Sequence, residues 1–169
     1  MAENSDGKAT QPGAQGAADA QQGQFGVQKV YLKDMSFETP RSPQVFQEEW
    51  SPAVNMDVSN SASALNDKLF EVVLSVTITV KSGEQPVYLA EVQQAGIFHI
   101  EGFPREAVNR ILATLCPNIL FPFAREVVAD LVMRGGFPQL LLAPMNFEVL
   151  YAQHLKQEAA KAAQGGAKH

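Results

Sequence analysis

Three histidines, one cysteine and eighteen carboxylates are the groups in this 169-residue chain suited to acid–base, nucleophilic or metal chemistry. Their spacing supports none of the three. His99, His154 and His169 each lack a second ligand at metal spacing, such as a histidine four residues away or a paired cysteine. Cys116 is followed by Pro117 and has no local histidine, which suits a buried thiol better than a nucleophile. No glycine-rich loop with a following lysine joins a strand to a helix, so nothing cradles a nucleotide phosphate. The carboxylates are scattered over faces expected to be wet, a pattern of solubility rather than catalysis. The expectation is a non-enzymatic binding protein, with no metal and no cofactor.

Charge and composition narrow the partners. The formal charge is −5, and residues 28–150 carry it all, with 14 acids against 9 bases. Nucleic acid is excluded as the main partner, because phosphate binding needs clustered Lys and Arg. The unbroken apolar runs are far shorter than a membrane span, and no signal peptide opens the sequence, so no direct membrane insertion is expected. A single cysteine cannot pair internally, which suits a reducing cytoplasm.

The elements that must position any binding surface follow from periodicity. Residues 1–26, rich in Ala, Gln and Gly, cannot offset their ordering entropy and are read as a disordered tail. A domain is expected over 27–156, and a second disordered tail over 157–169. From Val27 to Phe37 the pattern is that of a strand, with Val30, Leu32, Asp34 and Ser36 on one side. Tyr31, Lys33, Met35 and Phe37 take the other, Met35 and Phe37 facing a core. Segment 39–66 shows no regular period and reads as a long functional loop carrying Phe46, Trp50 and Met56. Phe70–Lys81 alternates strictly, and the chain returns over Val87–Ile100 with a break or bulge expected at Gly96.

Helices come after the strands. Pro104 suits a first helical position, and Val108, Ile111, Leu112 and Leu115 make a stripe. In the run from Cys116 to Gly136, prolines 117 and 122 predict a broken start, with the regular helix beginning near Pro122 and stopping at Gly135-Gly136. Phe137–Pro144 is an extended apolar segment containing Leu140 and Leu142, and a last helix begins near Met145. Strands first and helices second predict an α+β fold, an antiparallel sheet with helices packed on one face. The irregular loop and the 137–144 segment together could wall a groove for extended chains.

The motifs YLKDMSFETP (31–40), VFQEEW (45–50), YLAEVQQAGIFHI (88–100), CPNILFPFARE (116–126) and RGGFPQLLLAPMNFEVLY (134–151) closely resemble the bacterial protein-export chaperones of the SecB family. The resemblance spans about residues 28–155 and implies a holdase that works without ATP. Such a chaperone keeps secretory preproteins unfolded and delivers them to the translocation motor SecA. It further implies a homotetramer, a dimer of dimers. Asp34, Glu38, Leu89 and Glu91 match the family's contacts to the motor's basic, zinc-bound C-terminal tail, the metal belonging to the partner. Ala90, Val92 and Gln94 match positions that support the tetramer. Phe46, Trp50, Met56, Phe137, Leu140 and Leu142 are the residues expected to line the client groove. A structural or adaptor protein of the same fold, binding one folded partner, is the other reading.

Overall fold

A computed structural model describes residues 23–49 and 51–165. Its antiparallel strands are β1 (Gln24–Glu38), β2 (Ala53–Ala64), β3 (Leu69–Ser82) and β4 (Gln85–Glu101), in the sheet order β1-β4-β3-β2. Helices α1 (Arg105–Ala113), α2 (Leu115–Arg134) and α3 (Phe147–Gly165) complete it. On β3 the side chains of Val72, Leu74, Val76, Ile78 and Val80 are buried on the helix side, while the residues between them stay partly open. That alternation marks a sheet with one face packed and one face wet. Leu120, Ala124, Val128 and Val132 of α2 recur every four residues and lie across β4 and β3.

Segment 39–66 is not a loop. A short 3-10 turn (Gln44–Gln47) buries Val45, and the 12-residue strand β2 follows. Val54, Met56 and Val58 do alternate with Asn55, Asp57 and Ser59. The Ser, Asn and Ala residues beyond them have weak strand preference and obscure the signal. As an edge strand, β2 is held by its ladder to β3 more than by burial.

Gly96 does not interrupt β4, which runs through it for 17 residues. A Cβ at Gly96 would stand 2.8 Å from the Phe98 ring and 3.1 Å from Leu120 Cδ2. Glycine is there because α2 presses close to the strand. The prolines of α2 do not break it either. Pro117 is its third residue, where an amide has no intrahelical partner, and Pro122 is carried inside the helix among the buried Leu120, Phe121 and Ala124. The break lies earlier, at Thr114, whose φ of −126° and ψ of −62° separate α1 from α2. The two helices together are long and apolar enough to pass for a membrane span, but α2 turns its apolar side onto the sheet.

The end of α2 is as expected. Phe137 N–H donates to Val132 O and Gly136 N–H to Met133 O, and Gly136 takes the left-handed φ of 86° that such a cap requires. Helix α3 begins at Phe147, with Asn146 Oδ1 accepting from Val149 N–H at 3.1 Å. It continues to Gly165, so residues 157–165 are helical, not the start of a disordered tail. Strand β1 begins at Gln24, ahead of the expected boundary at 27. Most of the expected N-terminal tail lies outside the described residues.

Candidate functional site

The sheet face away from the helices is not covered by any of them. Two bulges in β1, between Val27 and Lys29 and between Leu32 and Asp34, decide what it displays. Each inserts one unpaired residue and so resets which side the following residues face. Leu32 pairs with Gln94 on the helix side, whereas Asp34 pairs with Gln93 on the open side. Leu32 and Asp34, expected on one face, are therefore on opposite faces. Beyond the bulge Asp34, Ser36 and Glu38 pair with Gln93, Glu91 and Leu89. Residues directly opposite in an antiparallel ladder share a face. Asp34, Glu38, Leu89 and Glu91 are thus gathered into one patch, the three acids exposed and Leu89 half-buried among them. Among the described residues none of these acids has an ion-pair partner, and Glu91 receives only a long 3.4 Å bond from the Ser36 hydroxyl.

A lysine adjoins this patch and is turned away from it. Lys33 Nζ donates to both carboxylate oxygens of Glu71 on β3, at 2.8 and 2.9 Å, and the Tyr31 hydroxyl donates to the same carboxylate. Lys33 first, and Tyr31 second, hold the Glu71 carboxyl below the usual range. Donation to Glu71, reinforced by partial burial, pushes the Tyr31 phenol up to about 12.

On the helix side a chain of rings closes one end of the sheet. Phe37 stacks on Tyr88 at 5.6 Å, Tyr88 meets Phe137 at 4.8 Å, and Phe137 meets Phe46 at 5.1 Å. Phe46 is 51% exposed, so the cluster ends in a solvent-facing aromatic ledge. Of the residues expected to line a client groove, Phe46 and Phe137 are brought together here. Phe137 and Leu142 are buried and Leu140 is half-buried, so these three act as floor rather than open wall. Met56 is exposed on the helix side of β2, in the cross-strand row that continues through Ile78 and Ala90 to Phe37. Trp50 lies outside the described residues. The sequence reading missed Leu141, which is 69% exposed, and the open groove of about 760 Å³ that it lines with Leu32, Met35, Val127 and Leu131. Arg125, Glu126, Asp130 and Arg134 border that groove.

The remaining candidates for chemistry are accounted for. Cys116 is buried, and its burial pushes the thiol up to about 12, far from a reactive thiolate. His99 Nε2 lies 3.3 Å from Glu101, which also pairs with Lys68. Among the described residues no group of three His, Cys, Asp or Glu side chains is placed to hold a metal ion.

Residues 18–158 match the family model described as preprotein translocase subunit SecB. The chain belongs to the SecB family. It is 50% identical over 96% of its length to the protein-export protein SecB of Nitrosococcus oceani, covering 97% of that protein. It is 52% identical over 94% of its length to the SecB of Thioalkalivibrio sulfidiphilus, again covering 97% of the relative. A SecB-like chaperone of Mycobacterium tuberculosis, solved with an antitoxin peptide, shares the fold at TM-score 0.57 and 21% identity, over 72% of this chain and 91% of that one.

Within this SecB fold Ala90, Val92 and Gln94 are on the helix-facing side of β4, as their alternation requires. All three are almost fully buried beneath α2, at 0, 1 and 3% exposure, so none offers a surface to a neighbouring subunit. Gln94 Nε2 donates to Tyr31 O at 2.9 Å and ties β4 to β1. Val128 faces the sheet as expected. Val127 and Leu131 also pack against the core, but only half-buried, along the groove that α2 forms with Leu32 and Met35 of β1.

Proposed function

We propose that the chain is a chaperone of preprotein export that holds secretory precursors unfolded without nucleotide and passes them to the SecA motor. Membership of the SecB family supports the export role. The observation that carries the finer reading is the uncovered sheet face, where Leu89 pairs with Glu38 in one patch with Glu91 and Asp34, and where no ion pair neutralises these acids among the described residues. An acidic surface with one apolar anchor attracts a basic peptide and gives it a seat. Clients take the opposite side, along the ledge of Phe46 and Phe137 and towards Met56. Burying one client Leu or Phe there is worth about 1.5–3 kcal/mol, so several shallow contacts give useful affinity with little sequence preference. The protein works in the cytoplasm as a homotetramer. Ala90, Val92 and Gln94 support that assembly indirectly, by setting the seat of α2, whose groove of Leu32, Met35 and Val127 supplies apolar surface for association.

The test is the refolding of a slow-folding secretory precursor diluted from denaturant, with the protein present and nucleotide absent. Refolding should be delayed in proportion to the protein added. Refolding at the unassisted rate would overturn the proposal.

A further inference from the structure

The open face carries more charge than its three free acids. Lys33 stands in the β1 bulge directly before Asp34, on the same side of the sheet. A lysine ammonium reaches roughly 6 Å from its backbone, so this one is within range of Asp34 on the adjoining residue. It is not turned there. It reaches instead to Glu71, two strands away on β3, and bonds both carboxylate oxygens. In the ladder Glu71 pairs with Ile97, whereas Asp34 pairs with Gln93. Four residues of strand, about 13 Å, separate those two rows. Tyr31, from the row between them, donates to the same carboxylate and fixes its orientation. Glu71 itself is only 17% exposed at the side chain and sits on an inner strand, so it is poorly placed to touch a partner.

We infer that Glu71 is a positioning residue for the docking face: by latching Lys33 it keeps a cation off Asp34 and Glu91 and preserves the patch for a basic partner. This rests on the reading of that face as the SecA-docking surface. Released, the ammonium has Asp34 as its nearest carboxylate, and one unit of the attraction available to the partner is cancelled. A unit charge at about 6 Å in water is worth roughly a threefold change in affinity, more at low ionic strength.

The probe is the basic C-terminal tail peptide of SecA, titrated at low salt against the full chain and three variants. Glu71→Gln, which keeps the shape and removes the charge, should weaken the peptide about threefold. Adding Lys33→Met to Glu71→Gln should restore affinity to near the original value, because no cation is left to release. A merely structural role for Glu71, or direct contact of Glu71 with the peptide, predicts no restoration by the second change. Unaltered binding by Glu71→Gln, or a double variant as weak as the single, would overturn the inference. Asp34→Lys separates the two levels. If it weakens the peptide while Glu71→Gln does not, the docking reading stands and the latch falls. If Asp34→Lys has no effect, the docking reading falls and takes the latch with it.

Discussion

Phe37 stacks on Tyr88 with ring centroids 5.6 Å apart on the helix side, while their strand neighbours Glu38 and Leu89 pair on the open side. One register therefore sets both surfaces. Because successive side chains alternate, the two can still be altered separately. Phe37→Ala should cost about 2–3 kcal/mol in urea unfolding, since it removes a ring from the cluster beneath the ledge. Glu38→Lys should leave stability within about 0.5 kcal/mol, as exposed substitutions usually do, and weaken binding of the SecA tail peptide. Equal losses of stability in the two variants would contradict this separation.

Gly96→Ala should destabilise the fold by about 1–3 kcal/mol through overpacking against Phe98 and Leu120. The change is best read by chemical denaturation. Pairing it with Leu120→Ala should recover part of the loss, because the side chain of α2 that crowds the strand is then gone.

A charge at position 92 would be buried, since Val92 is 1% exposed. Val92→Asp should therefore abolish folding, seen as loss of cooperative unfolding, rather than convert a folded tetramer to folded dimers. Val127→Asp is the better probe of association, because Val127 lines the open groove of α2. It should keep the circular dichroism of the parent and lower the sedimentation coefficient.

Tyr31 and Glu71 give the fold two pH signatures. The Tyr31 phenol is raised from its ordinary 10 to about 12, so its contribution is whole below pH 10 and is lost as pH rises towards about 12. The Glu71 carboxyl is lowered from 4.5, so its contribution is whole above pH 4.5 and is lost as pH falls below that value. Burial raises the Tyr88 phenol as well, so ultraviolet titration should show two late phenols, of which Tyr31→Phe removes one and Glu71→Gln brings that one back towards 10. Two late phenols persisting in Tyr31→Phe would contradict the assignment to Tyr31. Acid unfolding of Glu71→Gln should begin from lower stability at neutral pH and fall less steeply.

Strict alternation from Val72 to Val80 made β3 legible, because a half-buried strand leaves no other pattern. The recurrence of Leu120, Ala124 and Val128 did the same for α2, although two prolines suggested a break that burial overrides. Strand β2 was hidden because its Ser, Asn and Ala residues earn their place through backbone pairing rather than apolar contact. The bulge at Lys33 was hidden for a different reason. An inserted residue shifts the phase of a strand without changing its composition, so Leu32 and Asp34 were assigned to one face. The acids of the open-face patch were legible because they lie beyond the bulge, in phase with one another. The tie between Lys33 and Glu71 was not, because it needs the strand order β1-β4-β3, which no local pattern contains. For the proposed client groove, residue type singled out Phe46 and Phe137, whose rings meet in the structure. It did not distinguish the exposed Phe46 from the buried Phe137 and Leu142.

The strand order also has a consequence for the sequence of folding events. β2, β3 and β4 follow one another through short turns and can zip together locally, whereas β1 must find β4 across everything between them. Contacts distant in sequence carry the larger loop-closure cost and form late. β1 is accordingly expected to join the sheet last and to leave it first. Asp34 and Glu38 reside on it, while Leu89 and Glu91 wait on its partner. The acidic surface is thus assembled only when the chain has finished folding, and a half-folded copy would offer a basic partner half of the patch.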